Sequence, residues 1–181
     1  MVAVPVAILE SHVWTAFAIS LGSNLGNRAL HLQQAIAQLR DLPSIRQLQV
    51  SAIYQTPPVG PPQPDYYNAC AIAETYLQPE ALLLQLQRLE AAAGRERLQH
   101  WGPRTLDLDL LLYGDRQIHS PTLSVPHPYL TQRAFVLIPL AAIAPDWIEP
   151  VTGEAIATLA QRVDSTGIEQ LGSMETLAES P

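Results

Sequence analysis

Apolar positions along the chain change their period several times, and each change marks an element. Residues Trp14 to Ser20 form a short apolar run ending in Leu21-Gly22-Ser23-Asn24, the pattern of a strand entering a turn. From about Asn27 to Asp41, Leu32, Ala35, Ile36 and Leu39 recur at helical spacing, and Pro43 forbids continuation. Leu48, Val50, Ala52 and Tyr54 then alternate with polar residues, which predicts one strand. Five prolines and a glycine between Thr56 and Pro64 predict a stiff exposed loop, after which strand-like sequence resumes at Tyr67 to Ala73. Pro79 opens a second helix running to Ala93, with Leu82, Leu83, Leu86 and Leu89 on one face and Gly94 as its stop. A strand from Leu106 to Tyr113 completes a β-α-β-β-α-β order. That order predicts an α+β sandwich of ferredoxin-like type, mostly antiparallel, with its helices on one face and short C-terminal helices added. Phe135 to Ala144 reads as one of these, packing on the same core. One domain is expected over residues 13–164, with a flexible extension at 1–12 and a small, polar tail at 165–181 that should fray.

Composition narrows the function classes. The 181 residues are 48% hydrophobic and 15% charged, which suits a single domain with a real core. A net charge of −7 argues against nucleic acid or an anionic membrane as the main partner. One cysteine excludes an internal disulfide framework and a Cys-based zinc cluster, and Cys70 itself reads as core. No apolar run reaches membrane-span length, and Met1 to His12 lacks the early basic residue of a signal peptide, so a cytoplasmic location is expected. All ten basic residues are arginines. Without lysine, Schiff-base chemistry and the P-loop lysine are excluded, and anions must be met by guanidinium groups, backbone N–H groups or metal.

The strongest chemical signal is Leu106-Asp107-Leu108-Asp109-Leu110. In a strand the leucines point to the core and both carboxylates to the other face, about 7 Å apart. Their repulsion is about 2 kcal/mol at an effective dielectric of 20. Divalent cations would offset it, although a solvated outer strand face is the commoner origin of such a doublet. The preceding segment, Gly94 to Arg104, shifts the balance, because it packs Arg95, Arg97 and Arg104 into eleven residues. Surface pairing with Glu90 or Glu96 would add little stability, whereas arginines beside a metal-binding acid pair make a polyphosphate site. Gly22-Ser23-Asn24-Leu25-Gly26-Asn27 is neither a Walker A nor a dinucleotide fingerprint and reads as a tight turn with an Asn cap, without a phosphate role. Tyr66 and Asn68 share a strand face and suit a flat heterocycle, a modest signal alone. His127, locked between Pro126 and Pro128, is positioned, but a lone histidine is more often structural.

Taken in order, these pieces resemble the 6-hydroxymethyl-7,8-dihydropterin pyrophosphokinase family of folate biosynthesis, from roughly Ala16 to Asp146. The carriers are Leu21 to Gly26, Tyr54-Gln55-Thr56-Pro57-Pro58, Pro64-Asp65-Tyr66-Tyr67-Asn68, Gly94-Arg95-Glu96-Arg97, Trp101-Gly102-Pro103-Arg104-Thr105-Leu106-Asp107-Leu108-Asp109, and Pro126-His127-Pro128 with Arg133-Ala134-Phe135-Val136-Leu137. The resemblance implies transfer of diphosphate from ATP to the pterin hydroxymethyl oxygen, with AMP as product. It implies two magnesium ions on Asp107 and Asp109, and catalytic arginines at Arg95 and Arg104. Nucleotide contacts are implied at Glu90, Arg97, Trp101, Arg104, Leu110, His127 and Arg133. The pterin would lie between Tyr66 and Phe135, with Asn68, Thr56, Pro57 and Val59 completing its pocket. A monomer that binds neither nucleic acid nor membrane is expected. His100 stands where the family often has arginine, and Leu130 where methionine is common.

Two other readings share the scaffold. A ferredoxin-like RNA-binding module would want a basic sheet face with paired aromatics, where this chain carries acids. Another magnesium-dependent nucleotide transferase or hydrolase would keep the Asp/Arg site and abandon the pterin pocket.

Overall fold

The computed structural model describes residues 12–95, 102–174 and 176. Its centre is β1 (Thr15–Ser23), flanked by antiparallel β5 (Asp107–Tyr113) and β4 (Tyr66–Thr75). β2 (Ile45–Val50) and β3 (Ile53–Thr56) lie end to end along the other edge of β4, both antiparallel to it. The single strand expected across Leu48 to Tyr54 is thus one path broken by irregularities. Gln47 adopts φ 55°, the register slips between Arg46 and Gln49, and Ser51 ties the break down by donating N–H to Cys70 O at 2.9 Å.

Helices α1 (Arg28–Arg40) and α2 (Pro79–Ala92) follow the expected spans closely. Asn27 caps α1, its Oδ1 accepting the Leu30 N–H at 3.1 Å, and Pro79 occupies the start of α2. Leu32 and Leu39 of α1 and Leu82 and Leu86 of α2 bury against Phe17, Ile19, Leu21, Leu108 and Leu110 on one face of the sheet. Alternation along β1 sends Ala18 to the opposite face, where a second core forms with Cys70, Ile72 and Leu112. α3 (Ala134–Ile143) and α4 (Ile156–Ala160) cover it with Val136, Leu137, Leu140, Ile156 and Leu159. The expectation that Phe135 to Ala144 packs on the same core is therefore corrected. α3 reads Ala-Phe-Val-Leu-Ile-Pro-Leu-Ala-Ala-Ile, apolar all round, so its sequence carries no face by which to choose a side.

The tail also differs from expectation. Residues Glu169–Gly172 form the strand β8, after β6 (Ile118–His119) and β7 (Ser124–Val125), and pair antiparallel with β3. Fraying was expected because these residues are small and polar. Pairing with the exposed edge of β3 satisfies their backbone groups without an apolar pattern. Residues 1–11 of the expected extension lie outside the described residues. The α+β ferredoxin-like class holds, with a second helical layer on the back of the sheet. Among the described residues no helix is long and apolar enough to cross a membrane.

Candidate active site

α3 covers the second sheet face along only part of its length. Beyond Ala18 on β1 the same face continues with Ser20 and Gly22, and there the sheet lies open under a cavity of about 800 Å³. Register explains the floor. Gly22 pairs with Asn68 on one side and Asp107 on the other, and Ser20 pairs with Asp109. A Cβ at Gly22 would meet Asn68 Oδ1 at 2.9 Å and lie 3.9 Å from the Asp107 Cβ. A side chain there would fill the gap between amide and carboxylate. A glycine inside a strand signals close approach of another group, and the turn reading of Gly22 to Asn27 passed over that signal.

Both aspartates leave the core as alternation predicts, with Leu106, Leu108 and Leu110 buried on the other face. Arg104 Nη1 donates to Asp107 Oδ2 at 2.6 Å, and Arg95 Nη2 faces Oδ1 at 2.7 Å. Each carboxylate oxygen of Asp107 is thus held by an arginine. Burial opposes the charge on Arg104, but Asp107 beside it raises the guanidinium pKa overall. Burial, reinforced by the negative charge of Asp107, pushes the Asp109 carboxyl above the usual carboxylate range, against His127 and Arg133. Those two approach Asp109 Oδ2 at 3.7 Å and 3.5 Å. Burial lowers the His127 pKa, with Asp109 opposing.

The supporting contacts come from far along the chain. Glu90 is buried on α2, accepts the Leu108 N–H at 2.7 Å and pairs with Arg95. It holds the arginine and the strand from behind and does not line the cavity. Burial raises its carboxyl pKa, opposed by the Leu108 N–H and Arg95. Asn24, buried at the end of β1, donates N–H to Arg104 O at 3.0 Å and accepts the Arg104 N–H on Oδ1 at 2.7 Å. Its amide also donates to Gln63 Oε1 at 3.0 Å and Pro64 O at 3.1 Å. One side chain thereby joins the proline-rich loop to the arginine segment, a role that the sequence reading missed. Arg28 seconds it, donating to Asp65 O at 2.7 Å while stacking over the Tyr67 ring.

Apolar and aromatic side chains complete the lining. Tyr66 and Phe135 line it with Thr56, Pro57 and Val59. Asn68 donates to Thr56 Oγ1 at 2.7 Å, a buried bond that fixes the amide plane and leaves Oδ1 over Gly22. Burial pushes the Tyr66 phenol up, partly countered by Arg104.

Of the expected site residues, Thr56, Pro57, Val59, Tyr66, Asn68, Arg104, Asp107, Asp109, Arg133 and Phe135 line one cavity, and Arg95 and His127 flank its acids. Leu110 does not line the cavity with its side chain. Its side chain is buried among Phe17, Leu86 and Leu108 on the helical face, which leaves at most its main chain for a ligand. Arg97 and Trp101 lie outside the described residues. Residues lining the cavity without prior suspicion include Ser20, Gly22, Gln63, Tyr129, Gln132, Asp164, Thr166 and Ile168.

The donor set suits magnesium. Two carboxylates share a face and line one cavity, and among the described residues no group of three His, Cys, Asp or Glu side chains gathers. Magnesium is commonly held by one or two carboxylates plus water and substrate phosphates, whereas structural zinc wants a closed set of N and S ligands.

A family model described as 7,8-dihydro-6-hydroxymethylpterin-pyrophosphokinase (HPPK) matches residues 18–145. The chain is 46% identical over 164 residues to the 2-amino-4-hydroxy-6-hydroxymethyldihydropteridine pyrophosphokinase of Synechocystis sp., covering 87% of this chain and 84% of the relative. The similarly named protein of Methylorubrum extorquens is 41% identical over 154 residues, covering 84% and 96%. In fold, the chain is similar to the HPPK-DHPS protein of Plasmodium falciparum solved with pterin and p-hydroxybenzoate, at TM-score 0.67 and 15% identity. That likeness covers 84% of this chain and 44% of the other, so the chain spans less than half of that solved protein. By model match and by identity to its relatives, the chain belongs to the HPPK family of pyrophosphokinases.

Proposed function

We propose that this pyrophosphokinase transfers the β,γ-diphosphate of ATP to the hydroxymethyl oxygen of 6-hydroxymethyl-7,8-dihydropterin, releasing AMP, as a cytoplasmic monomer in folate biosynthesis. One observation carries the reading. One cavity is lined both by Asp107, Asp109 and Arg104 and by the aromatic rings of Tyr66 and Phe135. Asp107 and Asp109 would hold two magnesium ions, which when bound neutralise the triphosphate and polarise the transferred phosphorus.

The protein's own groups supply the rest. Arg95 and Arg104, which pair with Asp107, follow charge onto the phosphate oxygens as it moves to the leaving group. His127 and Arg133, beside Asp109, hold the nucleotide from the other flank. Tyr66 and Phe135 sandwich the pterin ring, and Asn68, oriented by Thr56, reads its polar edge. This fixes the hydroxymethyl oxygen toward the acids and makes attack on the β-phosphorus effectively intramolecular. Little covalent chemistry is asked of the side chains. Pro57 and Val59 shield the slot, which favours transfer over hydrolysis.

The test is incubation with ATP, magnesium and 6-hydroxymethyl-7,8-dihydropterin, with nucleotide products separated by chromatography. AMP in equal amount to pterin diphosphate is expected. ADP or free phosphate as the dominant product would assign the site to a different nucleotide reaction.

A further inference from the structure

The family model ends at residue 145, yet the cavity is also lined by Asp164, Thr166 and Ile168. This stretch is held from three directions. β8 pairs with β3 at Tyr54 and Gln55, immediately before the pocket residues Thr56 and Pro57. Gly167, at φ +78°, sits so close to the loop that a Cβ would meet Pro57 Cγ at 3.3 Å. Past the strand, Gln33 Nε2 of α1 donates to Met174 O at 2.6 Å. The turn itself is internally braced, since Asp164 Oδ1 accepts the Thr166 N–H at 2.9 Å and the Thr166 hydroxyl at 2.6 Å. Ile168 is half-buried and stands on the same cavity as Thr56, Pro57 and Val59.

We propose that the segment Asp164–Ile168 is the outer wall of the heterocycle slot, and that Ile168 is a specificity-determining residue closing the slot beside Pro57. The inference rests on the pterin reading above. An isoleucine beside the Pro57 loop excludes water from the ring edge and carries no charge to meet phosphate, so it should act on pterin binding and leave nucleotide binding alone. Glycine suits position 167 because the left-handed backbone strains other residues and a Cβ would press on Pro57.

Steady-state kinetics on the full chain test this, with equilibrium binding of 6-hydroxymethylpterin, followed by its fluorescence without ATP, as a second readout. Ile168→Ala should raise the pterin KM and Kd roughly tenfold while kcat and the ATP KM stay within about twofold. Ile168→Val should restore near-normal binding, and Gly167→Val should weaken pterin binding by at least as much as Ile168→Ala. A chain ending at Val163 should show the largest loss; if it fails to fold by circular dichroism, the point variants decide. Unchanged pterin KM and Kd in folded Ile168→Ala and Gly167→Val would overturn the wall, and so would an equal loss of ATP affinity. Wild-type protein that neither binds pterin nor forms AMP with it would overturn the functional reading together with the wall. Wild-type binding with unaffected variants would overturn the wall alone.

Discussion

The second face of the sheet is two regions built on the same strands. Under α3, Ala18, Cys70, Ile72 and Leu112 meet Val136, Leu137 and Leu140 in a dry core. A few residues along the same strands, the positions become Ser20, Gly22, Asn68, Asp107 and Asp109, which line the cavity instead of packing beneath a helix. Strand geometry is shared, so the difference lies in side-chain chemistry and in where the covering helix ends. The covered half turns burial into stability. The open half accepts an electrostatic cost, an Asp109 carboxylate disfavoured by burial and by the charge of Asp107, in order to receive a charged ligand.

The comparison breaks most visibly at the acids. Asp109→Ala should lower turnover with ATP and pterin by about a thousandfold or more, while its melting temperature stays at or above that of wild type. Burial and the neighbouring Asp107 disfavour the Asp109 charge in the folded chain, so deleting it removes a penalty. A lower melting temperature in scanning calorimetry would place Asp109 among the stabilising residues instead. The mirror-image change is Leu137→Ala beneath α3. Fully buried there, it should cost about 3 kcal/mol in urea unfolding, with kcat nearly unchanged for the molecules that remain folded. Smaller effects sharpen the boundary between the halves. Gly22→Ala puts a methyl 2.9 Å from Asn68 Oδ1 and should weaken pterin binding about tenfold in a fluorescence titration. The smallest effect concerns Cys70, whose buried thiol is held well above the ordinary thiol range by burial. It should ignore a disulfide reagent in native buffer and react only after denaturant is added, as followed by thiolate absorbance.

Much of this was legible residue by residue. The Leu106 to Leu110 alternation predicted both the buried leucines and the acid pair on the opposite face, because strand side chains have a strict period of two. The Pro79 start and the Asn27 cap were equally readable, since both act through their own backbone neighbourhood. Other parts were not. Asn24 looks like a turn residue until the fold brings Arg104, Gln63 and Pro64 within reach of one amide. α3 is apolar on all sides, and its placement on the far face depends on which sheet surface α1 and α2 have already taken. The tail reads as polar and mobile because β8 is held by main-chain pairing with β3 and displays no apolar signature.

Local rules of spacing thus carry the elements, the acid doublet, the arginine-rich segment and the family resemblance, since each is written in residues near one another along the chain. Cross-strand register and packing alone bring Gly22 between Asn68 and Asp107, set α3 over half a sheet face, and draw residues 164–168 against Pro57. Those outcomes are contacts between segments far apart in sequence, and their free energy exists only once the core has closed.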